Sequence, residues 1–146
     1  IDWNTCILIG AMIPIAPAMA NSGVDLMIGG ALVDIVGDMG PIAILAGLFI
    51  VTGALTQLMA NTAAALVMMP IAIAASAQVD ISPLAPIIVV AIAAQAALLT
   101  PVGTPPNLMV MGPGGYRFGD YAKFGVPLLL WWFVVAMVFP PLYWGF

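Results

Sequence analysis

Two short groups of polar residues and prolines interrupt apolar stretches of the chain that carry no charge. They are Thr52, Thr56, Gln57, Asn61 and Thr62 in the first group, and Thr104, Pro105, Pro106 and Asn107 in the second. Side-chain and backbone oxygens of this kind can coordinate Na⁺, and free N–H groups at the start of a helix can bind an anion. The chemistry available to these residues is therefore the binding of small ions.

The remaining composition argues against catalysis. The chain has no histidine and one cysteine, Cys6, so the usual general base and the usual metal ligands are missing. No paired carboxylates lie within the charge-free stretches, and no nucleophile stands beside a base. With only two basic residues, Arg117 and Lys123, the chain is also unsuited to bind nucleic acid. We expect no enzyme and no organic cofactor.

The balance of residue types indicates a membrane protein. Of 146 residues, 64% are hydrophobic and 5% are charged, whereas an ordinary soluble domain carries about 25% charged residues. Residue 1 is isoleucine, and no positively charged stretch precedes the first apolar run. We therefore expect no signal peptide, and we expect the chain to be a piece of a longer polypeptide.

The charge-free runs predict where the chain meets the lipid bilayer. They are residues 3–24, 41–79, 81–116 and 124–146. A bilayer core takes about 20 helical residues, so the first and last runs each predict one span, and the two middle runs must fold back or break. The absence of strand alternation favours helices over a barrel.

The segment 21–40, between the first two runs, predicts a helix along the membrane surface. It carries Asp25, Asp34 and Asp38 among apolar residues. Asp34 and Asp38 are four positions apart and share a helix face, which is typical of an interfacial helix. We expect these carboxylates to form a solvated face.

The centre of the run 41–79 allows two interpretations. Either two full spans turn in water at Asn61, or two arms enter from one side and meet inside the membrane. The tip, residues 60–65, lacks the Gly, Pro, Asp or Lys of a water-exposed turn, which favours the second, re-entrant arrangement. Simpler roles remain open. Asn61 and Thr62 could serve merely as caps of the second helix, and Thr52 could bond the carbonyl four residues earlier in its own helix.

The run 81–116 contains a predicted helix break at residues 100–107. Pro101, Pro105 and Pro106 cannot donate backbone N–H groups, so carbonyls four residues earlier would lose their partners. An unpaired carbonyl in hydrocarbon costs several kcal/mol, an order-of-magnitude value. A bound cation would supply the missing partner.

The two basic residues predict the orientation. Arg117 and Lys123 lie together between the last two runs, which makes that loop cytoplasmic by the positive-inside rule. The last run then goes outward, and the helix with the aspartates lies on the outer face. The expected location is the cell (inner) membrane, in a multi-pass protein.

Two motifs resemble a known family. The stretch Leu55-Thr56-Gln57-Leu58-Met59-Ala60-Asn61-Thr62-Ala63 is similar to the Ser-Asn-Thr hairpin of the divalent anion:sodium symporter family, which includes the sodium-coupled sulfate and dicarboxylate carriers. Thr100-Pro101-Val102-Gly103-Thr104-Pro105-Pro106-Asn107 is similar to the C-terminal half of the same family. The resemblance covers nearly the whole chain, and the order and spacing of both motifs make it specific.

The resemblance implies the fold of one inverted repeat in an all-α polytopic membrane protein, with a re-entrant helical hairpin and a Pro-broken transmembrane helix. This chain would be the second, C-terminal repeat. Its parts would be 3–20 (span), 21–40 (surface arm helix), 41–79 (re-entrant hairpin), 81–112 (broken span) and 124–146 (last span). The implied partners are the N-terminal repeat of the same transporter, the lipid bilayer and a second copy in a homodimer.

The resemblance also implies site residues. The sodium site would fall on Thr56, Asn61 and the backbone at Gly103. The anion site would use Asn61, Thr62, Thr104 and Pro105. This sequence departs from the motif at Ala60, where the family has serine, and so lacks one hydroxyl of the implied anion site.

Three functions follow as expectations. The first is sodium-coupled symport of a divalent anion, sulfate or a dicarboxylate, with Na⁺ as the coupling ion. The second is an ion antiporter of the same superfamily, for arsenite or for Na⁺ and H⁺. A proton-coupled exchanger would want an intramembrane carboxylate, and the charge-free runs contain none. The third is a membrane subunit that does not transport, against which the polar groups at mid-membrane depth argue.

Overall fold

The computed structural model of the chain describes residues 7, 10–11, 14–36, 40–101 and 104–145. Over these ranges the protein is helical and contains no strand, which confirms the predicted all-α class. In the described part of the chain from Ile15 on, seven helices follow one another: α1 Ile15–Ser22, α2 Val24–Val36, α3 Pro41–Leu55, α4 Asn61–Gln78, α5 Leu84–Ala94, α6 Pro105–Met111 and α7 Phe118–Trp144. Eight of the 18 residues of the predicted first span, 3–20, lie outside the described residues, and α1 covers only the end of that span, from Ile15.

The helices differ in length. By length and apolar composition, α4 and α7 are each sufficient to cross a membrane, whereas α3 and α5 are shorter apolar helices. The predicted last span, 124–146, lies almost wholly within α7, which begins at Phe118.

The core lies around α5, which contacts α3, α4 and α7. On one side, Ile44 and Leu48 of α3 meet Met68 of α4 and Val90 of α5 in a buried cluster. A second cluster joins α3 and α5 to α7. It contains Leu45, Phe49, Val89, Ala93, Ala96 and Ala136. Because apolar side chains surround α5 on several sides, the polar backbone groups at its C-terminal end must find partners inside the protein.

Helix α2 packs closely on α4. A Cβ atom at Gly29 would lie 3.2 Å from the backbone nitrogen of Ala75 and 3.3 Å from the carbonyl oxygen of Ile71. Asp25 is on the same face of α2, four residues before Gly29, and only 8% of its surface is exposed. Its carboxylate accepts a hydrogen bond from the backbone N–H of Leu26 at 2.8 Å.

The predicted solvated face of aspartates is therefore wrong for Asp25, because α2 turns this residue toward α4. Asp34 is exposed, as predicted. Asp38 lies outside the described residues.

The two basic residues flank the first turn of α7: Arg117 is its N-cap, and Lys123 lies in its second turn. The backbone N–H of Arg117 donates to the Asp120 carboxylate at 2.9 Å, and the Lys123 ammonium lies 3.6 Å from the same carboxylate. The hydrogen bond from Arg117, reinforced by the charge of Lys123, holds the pKa of Asp120 below its ordinary value. The carboxylate is therefore ionised near neutral pH and stabilises the start of α7.

Candidate functional site

The site is built around the end of α5, which stops at Ala94, before the first of the predicted break prolines. We call residues 95–101 the unwound segment; residues 102 and 103, which follow it, lie outside the described residues. Helix α6 then begins at Pro105, with Thr104 as its N-cap. Pro105 and Pro106 occupy the first helical turn, where a missing N–H costs nothing. Pro105 and Pro106 therefore start α6 instead of interrupting a helix. The break begins directly after Ala94, earlier than the predicted break at residues 100–107.

Side chains from other helices pair the last carbonyl groups of α5. The indole N–H of Trp132 in α7 donates to the carbonyl oxygen of Ile92 at 2.9 Å. The hydroxyl of Thr56, just after α3, lies 2.8 Å from the carbonyl oxygen of Ala94. The final carbonyls of a helix have no partner in the helix itself. Thr56 satisfies the buried Ala94 carbonyl, and Trp132 adds a second donor to the Ile92 carbonyl, which also accepts from the backbone N–H of Gln95 at 3.1 Å.

Gln57 holds the next part of the unwound segment. Its amide nitrogen donates to the carbonyl oxygen of Ala96 at 2.8 Å and to that of Gly53 at 3.1 Å. Its amide oxygen accepts from the backbone N–H of Leu99 at 3.2 Å. One side chain thus replaces the helical hydrogen bonds of two unwound residues.

Asn107 performs a similar role from the other side. Its amide nitrogen, in the first turn of α6, donates to the carbonyl oxygens of Ala97 at 2.9 Å and Thr100 at 3.3 Å. The hydroxyl of Tyr121 in α7 donates to the backbone carbonyl oxygen of Asn107 at 2.6 Å. The start of α6 is thereby tied both to the unwound segment and to α7.

The unwound segment also lies directly on α7 at Gly125. A Cβ atom there would overlap the carbonyl oxygen of Leu98 and lie 2.8 Å from its carbonyl carbon. Only glycine permits this backbone approach, as small residues do where transmembrane helices meet. Nearby, the hydroxyl of Thr100 is buried and has no hydrogen-bond partner in the described part of the chain.

Oxygen atoms converge at the turn between α3 and α4. The Thr56 hydroxyl lies 2.8 Å from the Ala94 carbonyl oxygen and 2.8 Å from Asn61 Oδ1. The Asn61 amide nitrogen donates to Gln95 Oε1 at 3.0 Å, which directs Oδ1 toward Thr56. Because a hydroxyl has a single proton, it can donate to only one of its two neighbours at a time. Three oxygens therefore share one proton, and such a group suits a hard cation, which prefers oxygen ligands.

The predicted site residues have different outcomes. Thr56 and Asn61, implied together for sodium, lie in direct contact. Within the described ranges, no hydrogen bond joins Thr62 or Thr104 to this pair. Thr62 is exposed in the first turn of α4, and Thr104 is half-buried at the start of α6. Gly103 lies outside the described residues.

The simpler roles considered for these residues also have outcomes. The N-cap of α4 is Ala60, with no side-chain capping bond, and Asn61 is the first helical residue. The capping role is therefore wrong for Asn61, whose side chain contacts Thr56 and Gln95. Thr52 does bond its own i−4 carbonyl, that of Leu48, at 2.6 Å.

Sequence reasoning missed Gln95 altogether, and it gave Gln57 no role. A signal for Gln95 was present, because it is the one amide side chain between residues 81 and 99 of an otherwise apolar run. The carbonyl group of Ala94 that contacts Thr56 carried no signal in the sequence, since any residue type supplies a carbonyl group.

Comparison with known proteins gives one family match over the whole chain. The family model described as citrate transporter matches residues 1–146. The chain is 40% identical to the uncharacterized transporter YfbS of Escherichia coli K12 over 146 residues, which are 100% of this chain and 24% of that protein.

Two relatives have names that state an ion or a substrate. The chain is 33% identical to the sodium-dependent dicarboxylate transporter SdcS of Staphylococcus saprophyticus over 125 residues, 86% of this chain and 24% of that protein. It is 30% identical to the probable sodium/sulfate cotransporter 3 of Chlamydomonas reinhardtii over 139 residues, 93% of this chain and 15% of that protein. The chain thus spans about a quarter or less of the length of these relatives.

Proposed function

The chain belongs to the citrate transporter family, a family of integral membrane transporters, and on this basis we propose that it acts in sodium-coupled symport of a divalent anion, sulfate or a dicarboxylate. The observation that carries the proposal is the convergence of three oxygens, from Thr56, Asn61 and Ala94, with one proton among them. Two relatives are named for sodium with sulfate and for sodium with dicarboxylate, and these names support Na⁺ and a divalent anion as the transported ions.

In the proposed mechanism, Na⁺ would be held by the Thr56 hydroxyl, by Asn61 Oδ1 and by the Ala94 carbonyl oxygen. The backbone at Gly103, a position outside the described residues, would complete the site. Na⁺ would be coordinated by lone pairs of the three oxygens while the Thr56 hydroxyl keeps its proton. Its binding would therefore draw the end of α3, the start of α4 and the end of α5 together. The favourable contacts of Na⁺ stabilise only this ordered arrangement, and that is how the ion couples to the anion.

The anion would bind beside the cation, at the start of α4. The first-turn N–H groups of α4 receive no side-chain cap, so they and the positive end of the helix dipole are available to a negative ligand. The Asn61 carboxamide and the hydroxyls of Thr62 and Thr104 would complete the site together with Pro105. No lysine or arginine lies in the charge-free runs, so backbone dipoles and Na⁺ must supply the positive potential.

The proposal includes the repeat architecture. Helix α3 has 15 residues and rises about 22 Å, less than the roughly 30 Å of a bilayer core; this supports a re-entrant arm. Helix α5 has 11 residues and is shorter still, which supports one half of a broken span. The N-terminal repeat would supply the other half of the binding site, and the working unit would be a homodimer in the cell membrane.

The experiment is uptake into vesicles by the proposed two-repeat transporter, with labelled sulfate, succinate or citrate and either NaCl or choline chloride outside. We expect uptake of at least one divalent anion to require Na⁺, and we expect Asn61→Ala to abolish this Na⁺-dependent uptake. Asn21→Ala, at an exposed position of α1, is the matched control and should transport normally. Unchanged uptake in Asn61→Ala would refute the site. Exchange driven by a pH gradient without Na⁺ would favour the antiporter.

A further inference from the structure

The side chain of Gln57, in the turn between α3 and α4, makes three hydrogen bonds, more than the side chain of Thr56 or Asn61, yet Gln57 is not one of the proposed cation ligands. Its carboxamide is half-buried and bonds three backbone groups, in Gly53, Ala96 and Leu99. Two of these groups belong to the unwound segment, and the third belongs to the last turn of α3. The side chain therefore links the turn that carries Thr56 to the backbone that follows α5.

The neighbouring residues Thr56 and Gln57 hold successive points of the same backbone. Thr56 contacts the carbonyl oxygen of Ala94, and Gln57 contacts Ala96 and Leu99 further along. The position of Ala96 and Leu99 relative to Thr56 thus depends on the Gln57 carboxamide. The opposite edge of the segment is held by Asn107, from α6.

Among the residues that the structure describes, Gln57 supplies the only side-chain hydrogen bonds to the unwound backbone at Ala96 and Leu99. Gln57 and Leu99 border a groove of about 360 Å³ whose remaining wall is apolar, including Phe49 and Phe133. If the carboxamide were removed, the carbonyl of Ala96 would keep only its short contact from the N–H of Leu98 at 2.8 Å. The N–H of Leu99 would face apolar side chains, and an unpaired buried amide is costly. The segment would therefore shift toward water or toward other partners.

We propose that Gln57 is a positioning residue that couples Na⁺ binding at Thr56 and Asn61 to the placement of the unwound segment. It does not ligate the ion. It orders the backbone before Na⁺ arrives, so that less of the binding free energy of Na⁺ is needed to order it. This inference rests on the proposed function.

The test is Gln57→Met, which keeps the length of the side chain and removes its hydrogen bonds. We expect the Na⁺ concentration for half-maximal uptake to rise about tenfold. The KM for the anion and the maximal rate, both at saturating Na⁺, should change less than twofold, because excess Na⁺ restores the ordered segment. Gln78→Met, at an exposed position at the end of α4, is the control and should leave all three values unchanged.

A purely structural role for Gln57 predicts a different result. Fewer folded molecules would lower the maximal rate, while the Na⁺ dependence of the remaining transporters would stay that of the wild type. That result, or a wild-type Na⁺ dependence together with a normal rate, would overturn the inference. If the wild-type protein itself shows no Na⁺-dependent uptake, the proposed function fails instead, so the two failures are distinguishable.

A second measurement covers the case in which Gln57→Met does not fold. Hydrogen exchange of the wild-type protein is followed at the Leu99 amide, which donates to Gln57. We expect NaCl to slow this exchange at least threefold relative to choline chloride at the same ionic strength. Equal exchange in the two salts would show that the contact between Gln57 and Leu99 is not coupled to Na⁺, and would overturn the inference without any transport assay.

Discussion

The hydroxyl of Thr56 lies 2.8 Å from the carbonyl oxygen of Ala94, a residue 38 positions further along the chain. Thr56 is fully buried, and Ala94 is 1% exposed. The contact joins the end of α3 to the end of α5, where each helix has carbonyl groups without helical partners. The same oxygen atoms that hold the fold together at this point are therefore the ones available to a cation.

Thr56→Val tests both roles at once, because valine keeps the shape of threonine and removes the hydroxyl. We expect the apparent unfolding temperature of the purified transporter in detergent to fall, since a carbonyl left unpaired in the interior costs about 1–3 kcal/mol. We also expect NaCl to lose its stabilising effect, with at least about a tenfold loss in Na⁺ affinity, equivalent to about 1.4 kcal/mol.

Thr52→Val is the control for this experiment. Thr52 is also fully buried, but its hydroxyl bonds only the Leu48 carbonyl of its own helix. The variant should keep the response to NaCl measured for the wild type. Equal loss of the Na⁺ response in both variants would assign the effect to buried hydroxyl groups in general rather than to the cluster.

Gly125→Ala should destabilise the protein strongly. The added Cβ would overlap the carbonyl oxygen of Leu98, which is backbone and cannot rotate away. Overpacking of this kind costs about 1–3 kcal/mol, and the unfolding temperature should fall accordingly. Gly119→Ala, on the same helix with open space around it, should leave the unfolding temperature unchanged or raise it slightly, because alanine has the higher helix propensity. A tolerated alanine at position 125 would contradict the close approach of the unwound segment to α7.

Trp132→Phe should cost about 1 kcal/mol, the value of a typical intramolecular hydrogen bond. The variant keeps an aromatic ring against α5 and loses the indole N–H that donates to Ile92. Trp131→Phe, at a position 65% exposed, is the matched control. The difference between the two unfolding temperatures measures the bond. The absence of any difference would show that the Gln95 backbone N–H, 3.1 Å from the Ile92 carbonyl oxygen, is a sufficient donor by itself.

Ala60→Ser restores the residue of the family motif at the N-cap of α4. Ala60 has the extended backbone conformation of an N-cap, with φ −59° and ψ 140°, and it provides no side-chain cap. Because a serine N-cap stabilises a helix by about 1 kcal/mol relative to alanine, the unfolding temperature should rise. In the proposed site, the added hydroxyl should also lower the KM for the anion. Ala54→Ser, at an exposed position inside α3, should produce neither change.

The amino-acid sequence alone determined the class of protein and part of the site. A chain with 5% charged residues cannot cover a water-soluble surface, so a helical membrane protein followed directly. Three prolines predicted an interruption of the run 81–116, and the structure has one, although it begins nearer to α5. The spacing of Thr56 and Asn61 in the family motif led to a pair that the structure brings into contact. Each of these features is local, or depends on composition.

The tertiary structure decided which groups satisfy the unwound backbone. Gln57 reaches Ala96 and Leu99, and Trp132 reaches Ile92, over separations of about 40 residues, which no local pattern encodes. The burial of Asp25 likewise depends on which face of α2 meets α4. The physical reason is the same throughout: a carbonyl or carboxylate in an apolar interior must be paired. Its partner is whichever polar group the packing of distant helices brings within hydrogen-bond distance.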